Sequence, residues 1–350
     1  MKKKVFASLL TGALAACTLA GCGSSASTAT SDASDTSSAA ASSEYTVSIV
    51  QYVDDASLNQ INESIQEELA AKGEELGVKF NIDYSNGQAD STVMNQIASD
   101  CVNDGVDAII PIATPVAAIM QAATEGTDIP VVFSAVSDPV GSGLVASLDA
   151  PGANVTGTSD MLNTEAVMDL MFAANPDIKT VGLLYDKGQD SSTQPIKDAI
   201  AYLEEKGISY VEKTGTTNDE ISLAADALVA ADCDAVFTPT DNTVMTAELA
   251  IFEKFADAGI PQYCGADSFA LNGAFCGYGV NYEDLGTQTA DMVIDILVNG
   301  ADPATTAVQV QDSGIATVNT ETAEKIGLDY SMFKDMVTEV VETTTSQEFE

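Results

Sequence analysis

Val106-Asp-Ala-Ile-Ile-Pro111 and Cys233-Asp-Ala-Val-Phe-Thr238 are one strand written twice in a single chain. The copies extend outward in both directions. Downstream, Ile112-Ala-Thr-Pro-Val116 corresponds to Pro239-Thr-Asp-Asn-Thr-Val244, and helical stretches follow at 117–123 and 246–256. Then Asp128-Ile-Pro-Val-Val-Phe-Ser134 corresponds to Gly259-Ile-Pro-Gln-Tyr-Cys-Gly265. Upstream, Thr46-Val-Ser-Ile-Val-Gln-Tyr52 matches Thr180-Val-Gly-Leu-Leu-Tyr185. A helical stretch ending in Lys-Gly follows each, at 58–73 and 194–207. Matched segments in one order are the signature of an internal repeat.

Each half reads β-α-β-α-β-α-β, with short β-branched apolar runs alternating with helices. That alternation predicts a parallel sheet covered by helices on both faces. The expected fold is therefore α/β, two doubly wound parallel-sheet lobes joined by a hinge. The link between halves is Gly152-Ala-Asn-Val-Thr-Gly-Thr-Ser-Asp160, and a second is Cys276-Gly-Tyr-Gly-Val-Asn-Tyr282. A helix at 283–297 follows, and 303–310 is a candidate third crossing. These crossings place residues 45–157 and about 282–310 in an N-terminal lobe, and 158–281 and about 311–340 in a C-terminal lobe. The acidic tail beyond Tyr330 keeps one apolar stretch, 332–341, which is expected to form a last helix with a frayed end.

The first residues read as processing signals. Lys2, Lys3 and Lys4 form a basic segment, and residues 5–16 form an apolar core too short to span a bilayer. Leu19-Ala20-Gly21-Cys22 places small residues before a cysteine, as lipoprotein processing requires. Residues 1–21 are read as a signal peptide and Cys22 as the lipidated N-terminus. Residues 22–44 are read as a tether, because a run of Ser, Ala, Thr and Asp has no apolar surface to offset its conformational entropy. About 300 residues remain, enough for two domains.

Composition excludes several function classes. The formal charge is −40, with no basic patch, so nucleic acid and anionic membrane surfaces are repelled; the membrane is reached only through the lipid on Cys22. There is no His, no Arg and no Trp, and all 13 basic residues are lysines. Imidazole-based catalysis and imidazole metal sites are absent, as is the guanidinium fork that grips carboxylates. No G-x-G-x-x-G follows either first strand. No enzyme activity, cofactor or metal is expected. An anionic ligand group must be held by backbone N–H groups, hydroxyls or lysine. Cys101, Cys233, Cys264 and Cys276 show no metal spacing. They read as small buried residues, with a Cys264–Cys276 bridge the alternative.

In open parallel sheets, ligands bind beyond the carboxyl ends of the strands, beside helix N-termini. Thr114-Pro115 follows one such strand. Its residue types suit a plain helix cap or an anion-holding turn equally. Ser134 and Ala135 close the next strand. Asp241 and Asn242 stand at the repeat-mate of the Thr114 turn, Asp267 at the repeat-mate of the Ser134 loop, and Asp160 at the inter-lobe crossing. Each carboxylate is either a partner for a ligand ammonium or a solvated surface group. Gln51, Tyr52 and Tyr185 end the paired first strands, where an aromatic ring can stack on a flat ligand or close a sheet end.

Several of these motifs together resemble the ABC-transporter substrate-binding proteins of the TrpX/TrpY type, a branch of the type I periplasmic-binding-protein fold. They are Ile112-Ala-Thr-Pro115, Val132-Phe-Ser-Ala-Val-Ser-Asp-Pro-Val-Gly141, the 152–161 segment, Val181-Gly-Leu-Leu-Tyr185, Pro239-Thr-Asp-Asn-Thr-Val244, and Tyr278-Gly-Val-Asn-Tyr282 with Leu285-Gly286. The chain departs at Asp54-Asp-Ala-Ser-Leu58, which is more acidic than the family pattern. The resemblance implies a clamshell that closes on a small molecule, an aromatic or other amino acid first. It implies a monomer anchored outside the cell membrane, with an ABC permease and ATPase as partners. A ligand sensor feeding a membrane receptor is the alternative use of the same lobes.

Overall fold

The computed structural model describes residues 43–346. The expected signal segment, Cys22 and nearly all of the expected tether lie outside those residues. Glu44, assigned by sequence to the tether, is the first residue of a strand.

The first half folds as β1 (Glu44–Gln51), α1 (Ala56–Leu76), β2 (Lys79–Asn86), α2 (Ser91–Asp104), β3 (Ala108–Ile112), α3 (Thr114–Ala123), β4 (Val131–Phe133) and β5 (Val155–Ser159). After α4 (Thr164–Ala174), the second half gives β6 (Thr180–Tyr185), α5 (Asp190–Lys206), β7 (Ser209–Thr214), α6 (Asn218–Ala230) and β8 (Ala235–Thr238). It continues with α7 (Asn242–Ala258), β9 (Gln262–Cys264), α8 (Asp267–Leu271) and β10 (Cys276–Gly279). The closing elements are α9 (Tyr282–Leu297), β11 (Gln309–Val310), β12 (Ile315–Asn319), α10 (Thr320–Ile326), a 3₁₀ turn at Phe333–Asp335 and β13 (Glu339–Thr343).

Two sheets result. One runs β11-β5-β4-β3-β1-β2, and the other β13-β12-β10-β9-β8-β6-β7. In both, the first strand lies between the second and the third, so each lobe has a switch point beside its first strand. The repeated Asp-Ala explains this register. Asp107 Oδ2 accepts from the Thr46 N–H at 2.7 Å. Asp234 Oδ2 accepts from Lys179 at 2.8 Å and Thr180 at 2.9 Å. Each aspartate thus ties the start of the third strand to the start of the first. The alanine after it is fully buried, as both faces of a parallel strand must be.

The glycine-containing links are strands, β5 and β10, and the chain changes lobe just after them, at 160–163 and 280–281. Residues 309–310 pair with β5, and the third crossing follows at 311–314. Helix α9 returns to the first lobe and packs along α1, β4 and β5. Gly286 permits this approach, because a Cβ there would stand 2.6 Å from the Ile61 carbonyl oxygen.

Two expectations are corrected. The second sheet is not wholly parallel: β12 runs antiparallel to β10. The 332–341 stretch is not a helix. Its β-branched Val340 and Val341 extend as β13 alongside β12, where the edge pairing outweighs the weak local helix signal. Cys101, Cys233, Cys264 and Cys276 are free and buried. Gly277, not Cys276, is the β10 partner of Cys264, so the two thiols leave opposite faces of the sheet.

One buried polar pair in the second lobe carries a stability signature. Glu248 of α7 is fully buried, and its Oε2 accepts from Gln262 Nε2 at 3.1 Å. Glu248 Oε1 and Gln262 Oε1 are both left without a partner. A proton on Glu248 lets the carboxyl donate to the amide oxygen and satisfies both atoms at once. Burial pushes this carboxyl up to about 8. From the ordinary glutamate range up to about 8, the folded protein holds a proton that the unfolded chain has lost. Stability therefore falls as pH rises through that window. Glu248→Gln supplies the donor permanently. In urea unfolding, we expect the variant to exceed the wild type by roughly 1–3 kcal/mol at pH 8.5 and by much less at pH 5. Equal destabilisation at both pH values would contradict this assignment.

Candidate functional site

The carboxyl ends of the two sheets face each other across a closed cleft. A small cavity between them is lined from both lobes. The first lobe contributes Ser57 and Leu58 from the start of α1, Ala113 and Thr114 from the start of α3, and Ala135 and Ser137 after β4. Asp160 enters at the first crossing and Tyr282 at the second. The other lobe contributes Thr240 and Asn242 after β8, Met245 from α7 and Ala266 after β9.

The backbone is strained at this wall. Ala113 has φ 87 and ψ 152, a region that is essentially glycine's own, and Ala135 has φ 54. Such conformations cost of order 1–3 kcal/mol each and persist where surrounding structure fixes them. At Ala113 the Ser134 carbonyl accepts its N–H at 3.0 Å, and its own carbonyl starts α3 by accepting from Ala117 at 3.1 Å. The turn therefore sets the N-terminus of α3 against the cavity, which Ala113 and Thr114 line.

Thr114 does not cap α3. Ala113 is the N-cap, no side chain bonds there, and Thr114 lies in the first turn beside Pro115. The Thr114 hydroxyl is buried, lines the cavity and has no partner. The equivalent helix of the other lobe is finished differently. Asp241 caps α7, accepting from Thr243 at 3.0 Å and Val244 at 2.9 Å. Its second oxygen accepts from the Asp186 N–H at 2.8 Å and the Ser192 hydroxyl at 2.6 Å. One lobe neutralises its helix N-terminus with its own carboxylate, and the other leaves it open. An open helix N-terminus with an adjacent hydroxyl is an anion site.

Asp160 borders the same cavity. It is buried, accepts from the Ser137 hydroxyl at 3.0 Å, and is pushed up to about 6 by burial. No lysine is among the groups acting on it. The ion pairs among the described residues involve Lys72, Lys79, Lys254 and Lys325, none of which lines the cleft. A carboxylate closed away from water without a counter-ion needs a proton or a cationic partner.

Of the residues singled out by sequence, Thr114, Ala135, Asp160 and Asn242 line the cavity. The others do not. Gln51 is spent on its own loop, donating to Val53 O at 2.7 Å and Asn59 Oδ1 at 2.8 Å. The Ser134 hydroxyl turns to Thr289 of α9 at 2.8 Å. Tyr185 donates to Glu212 across the β6–β7 pair at 2.6 Å. Tyr52 is buried in the core, Pro115 shapes the first turn of α3, and Asp241 is the cap just described. Asp267 crosses the cleft to α1, where the Ser57 hydroxyl donates to it. Sequence reasoning passed over Ser57, Leu58, Ser137, Thr240, Met245 and Ala266. Ser137 lay inside a motif already quoted, and Thr240 is the repeat-mate of Ala113. The apolar residues carried no signal distinct from core. Among the described residues, no group of acidic and sulfur side chains is arranged to hold a metal ion.

The sequence model of the ABC transporter substrate binding protein family matches residues 46–337. The chain belongs to this family. A tyrosine-binding protein of Clostridioides difficile strain R20291 is 32% identical over 297 residues, 84% of each chain. An ABC domain from Streptococcus pneumonia in complex with L-Trp is 29% identical, covers 85% of this chain and all of its own, and superposes with a TM-score of 0.80. A ligand-free, open substrate-binding protein with adhesive properties from Clostridium difficile is 30% identical and covers 86% of this chain and all of its own, yet its TM-score is 0.66. At near-equal identity, this substrate-binding chain is more like the ligand complex than the open form. That agrees with the direct bonds between its lobes.

The unpaired Thr114 hydroxyl yields a prediction. A buried hydroxyl without a partner costs about 1–3 kcal/mol, and an apolar group of the same shape does not carry that cost. Thr114→Val is therefore expected to match or exceed the wild-type melting temperature without ligand, while weakening ligand binding. A loss of several degrees in the ligand-free variant would show that the hydroxyl serves the fold.

Proposed function

We propose that this chain is the lipid-anchored, extracytoplasmic receiving component of an ABC importer and that it binds an amino acid, aromatic first, in the closed cavity. One observation carries the reading. The cavity presents an open helix N-terminus with an unpaired hydroxyl and also a buried carboxylate without a counter-ion, which together complement a zwitterion. In this reading Thr114 and the N–H groups of α3 hold the α-carboxylate. Asp160 takes the α-ammonium, with Asn242 and Thr240 supplying polar contacts from the other lobe. The side chain lies among Leu58, Met245 and Tyr282. Two relatives of about 30% identity whose names specify tyrosine and tryptophan support the aromatic choice.

Contacts from both lobes to one ligand favour the closed state by as much as their sum differs from the contacts available when open. The closed, loaded monomer is the form that a permease and its ATPase would receive. Cys22 supplies the anchor in this proposal. No described helix is long and apolar enough to cross a membrane. Cys22→Ala is expected to move the protein from the membrane fraction to the soluble one.

The test is calorimetry against the twenty amino acids, nucleosides and simple sugars. We expect tyrosine, tryptophan or phenylalanine to bind at micromolar Kd or tighter. Asp160→Asn should weaken that binding by at least about tenfold, the scale of one charged hydrogen bond, with an unchanged melting temperature. Binding only of uncharged ligands, or full affinity in Asp160→Asn, would remove the zwitterion from the account.

A further inference from the structure

An acidic cluster borders the ligand cavity, sharing Ser57 with its wall, where α1 of one lobe meets α8 of the other. Asp55 caps α1, accepting from the Ser57 N–H at 3.0 Å. The Ser57 hydroxyl reaches across the cleft. It donates to Asp267 Oδ1 and accepts from the Ser268 N–H at 3.2 Å, so a side chain of one lobe caps a helix of the other. Gln60 adds a longer bond to Asp267 Oδ2 at 3.4 Å. Helix α8 has no side-chain cap from its own lobe. These bonds exist only while the cleft is closed.

The charges in this contact do not balance. Asp55 faces the Asp267 carboxylate and the Ser268 hydroxyl. Tyr282, at the start of α9, faces Asp55, Asp160 and Asp267. Asp54 lies beside Asp55 at the mouth of the cleft, with Asn272 and Leu249 opposite. No lysine acts on Asp55 or Asp267 from α1, α7, α8 or α9. Closure therefore removes water from two carboxylates that approach each other without a cation. Opening separates them and returns both to water.

We propose that Asp55, Ser57 and Gln60 of one lobe and Asp267 and Ser268 of the other form a latch that takes up a proton from solvent as the cleft closes. The proton resides on the Asp55–Asp267 pair, and closure is favoured in acid. Burial, and then the neighbouring Asp267 charge, push Asp55 up to about 7 in the closed state. A carboxyl raised by closure draws the equilibrium toward the closed form as pH falls through that value, and releases it as pH rises. Each unit of the rise changes the closing ratio about tenfold. Asp55 keeps part of its surface at the open mouth of the cleft, which moderates the effect. The latch does not depend on which ligand the cavity takes.

The test uses the full chain without ligand, one nitroxide label on an exposed site of each lobe, and inter-label distances by double electron–electron resonance at pH 8.5 and 5.5. In the wild type, the closed-to-open ratio is expected to rise about tenfold on acidification. Asp55→Asn keeps an effective helix cap and imitates the protonated acid. It should be more closed than the wild type at pH 8.5 and change several-fold less with pH. Ser57→Ala, which deletes the shared hydroxyl, should be less closed at both pH values. Parallel pH responses of wild type and Asp55→Asn would overturn the proposal. So would a wild-type closed fraction that does not change, including one undetectable at both pH values. Calorimetric failure of every amino acid would remove the proposed ligand and leave this result standing.

Discussion

The closed cleft of this protein brings carboxylates out of water with no basic side chain to receive them. Asp160 and Asp241 are buried, and Asp55 and Asp267 are partly so. Burial is the largest influence on each, raising all of them above the ordinary aspartate range. The chain has neither arginine nor histidine to answer them. Each must be satisfied by hydrogen bonds, a proton or a ligand. Asp241 takes the first route completely, with four donors. Asp267 takes cross-lobe bonds from Ser57 and Gln60, and the proton of the latch proposed above answers its charge together with that of Asp55. Asp160 has a single side-chain donor, Ser137, and faces the cavity. A positively charged ligand group answers it best.

The internal repeat turns this constraint into a directional site. The two lobes share a sheet order and the Asp-Ala tie between first and third strands, yet differ at the helix that follows the third strand. In one lobe the turn reads Ala113-Thr114-Pro115, with strained backbone, no cap and a spare hydroxyl. In the other it reads Thr240-Asp241-Asn242, with the helix N-terminus already neutralised. The two copies of one frame thus differ at this helix end, open in one lobe and neutralised in the other.

The fold was largely legible because it rests on short-range pattern. Buried parallel strands write themselves as apolar runs, and the aspartate that fixes register precedes the third strand in both copies. The tail escaped because β13 is an edge strand whose pairing partner, β12, fixes it, which no local period reports. The site was half legible. Position beyond a strand end places Thr114, Ala135, Asp160 and Asn242 at the cleft, where all four line the cavity, since topology alone puts those residues there. Whether a side chain faces the cavity depends on rotamer and neighbours. Gln51 turned into its own loop, Ser134 to a hydroxyl on α9, and Tyr185 to the adjacent strand. Asp267 looked like a ligand group and is the far half of an inter-lobe bond, because its partner, Ser57, is distant in sequence.

In the proposed function, the cavity reads both charges of an amino acid. Titration calorimetry with three matched compounds tests it most directly: L-tyrosine, the same molecule without its amino group, 3-(4-hydroxyphenyl)propionate, and the same molecule without its carboxylate, tyramine. Each truncated compound is expected to bind at least about a hundredfold more weakly than L-tyrosine, since each leaves a buried charged or polar group unanswered. The des-amino acid should gain as pH falls and Asp160 takes a proton. If it binds as tightly as L-tyrosine at neutral pH, Asp160 is not an ammonium site and the account fails at its centre.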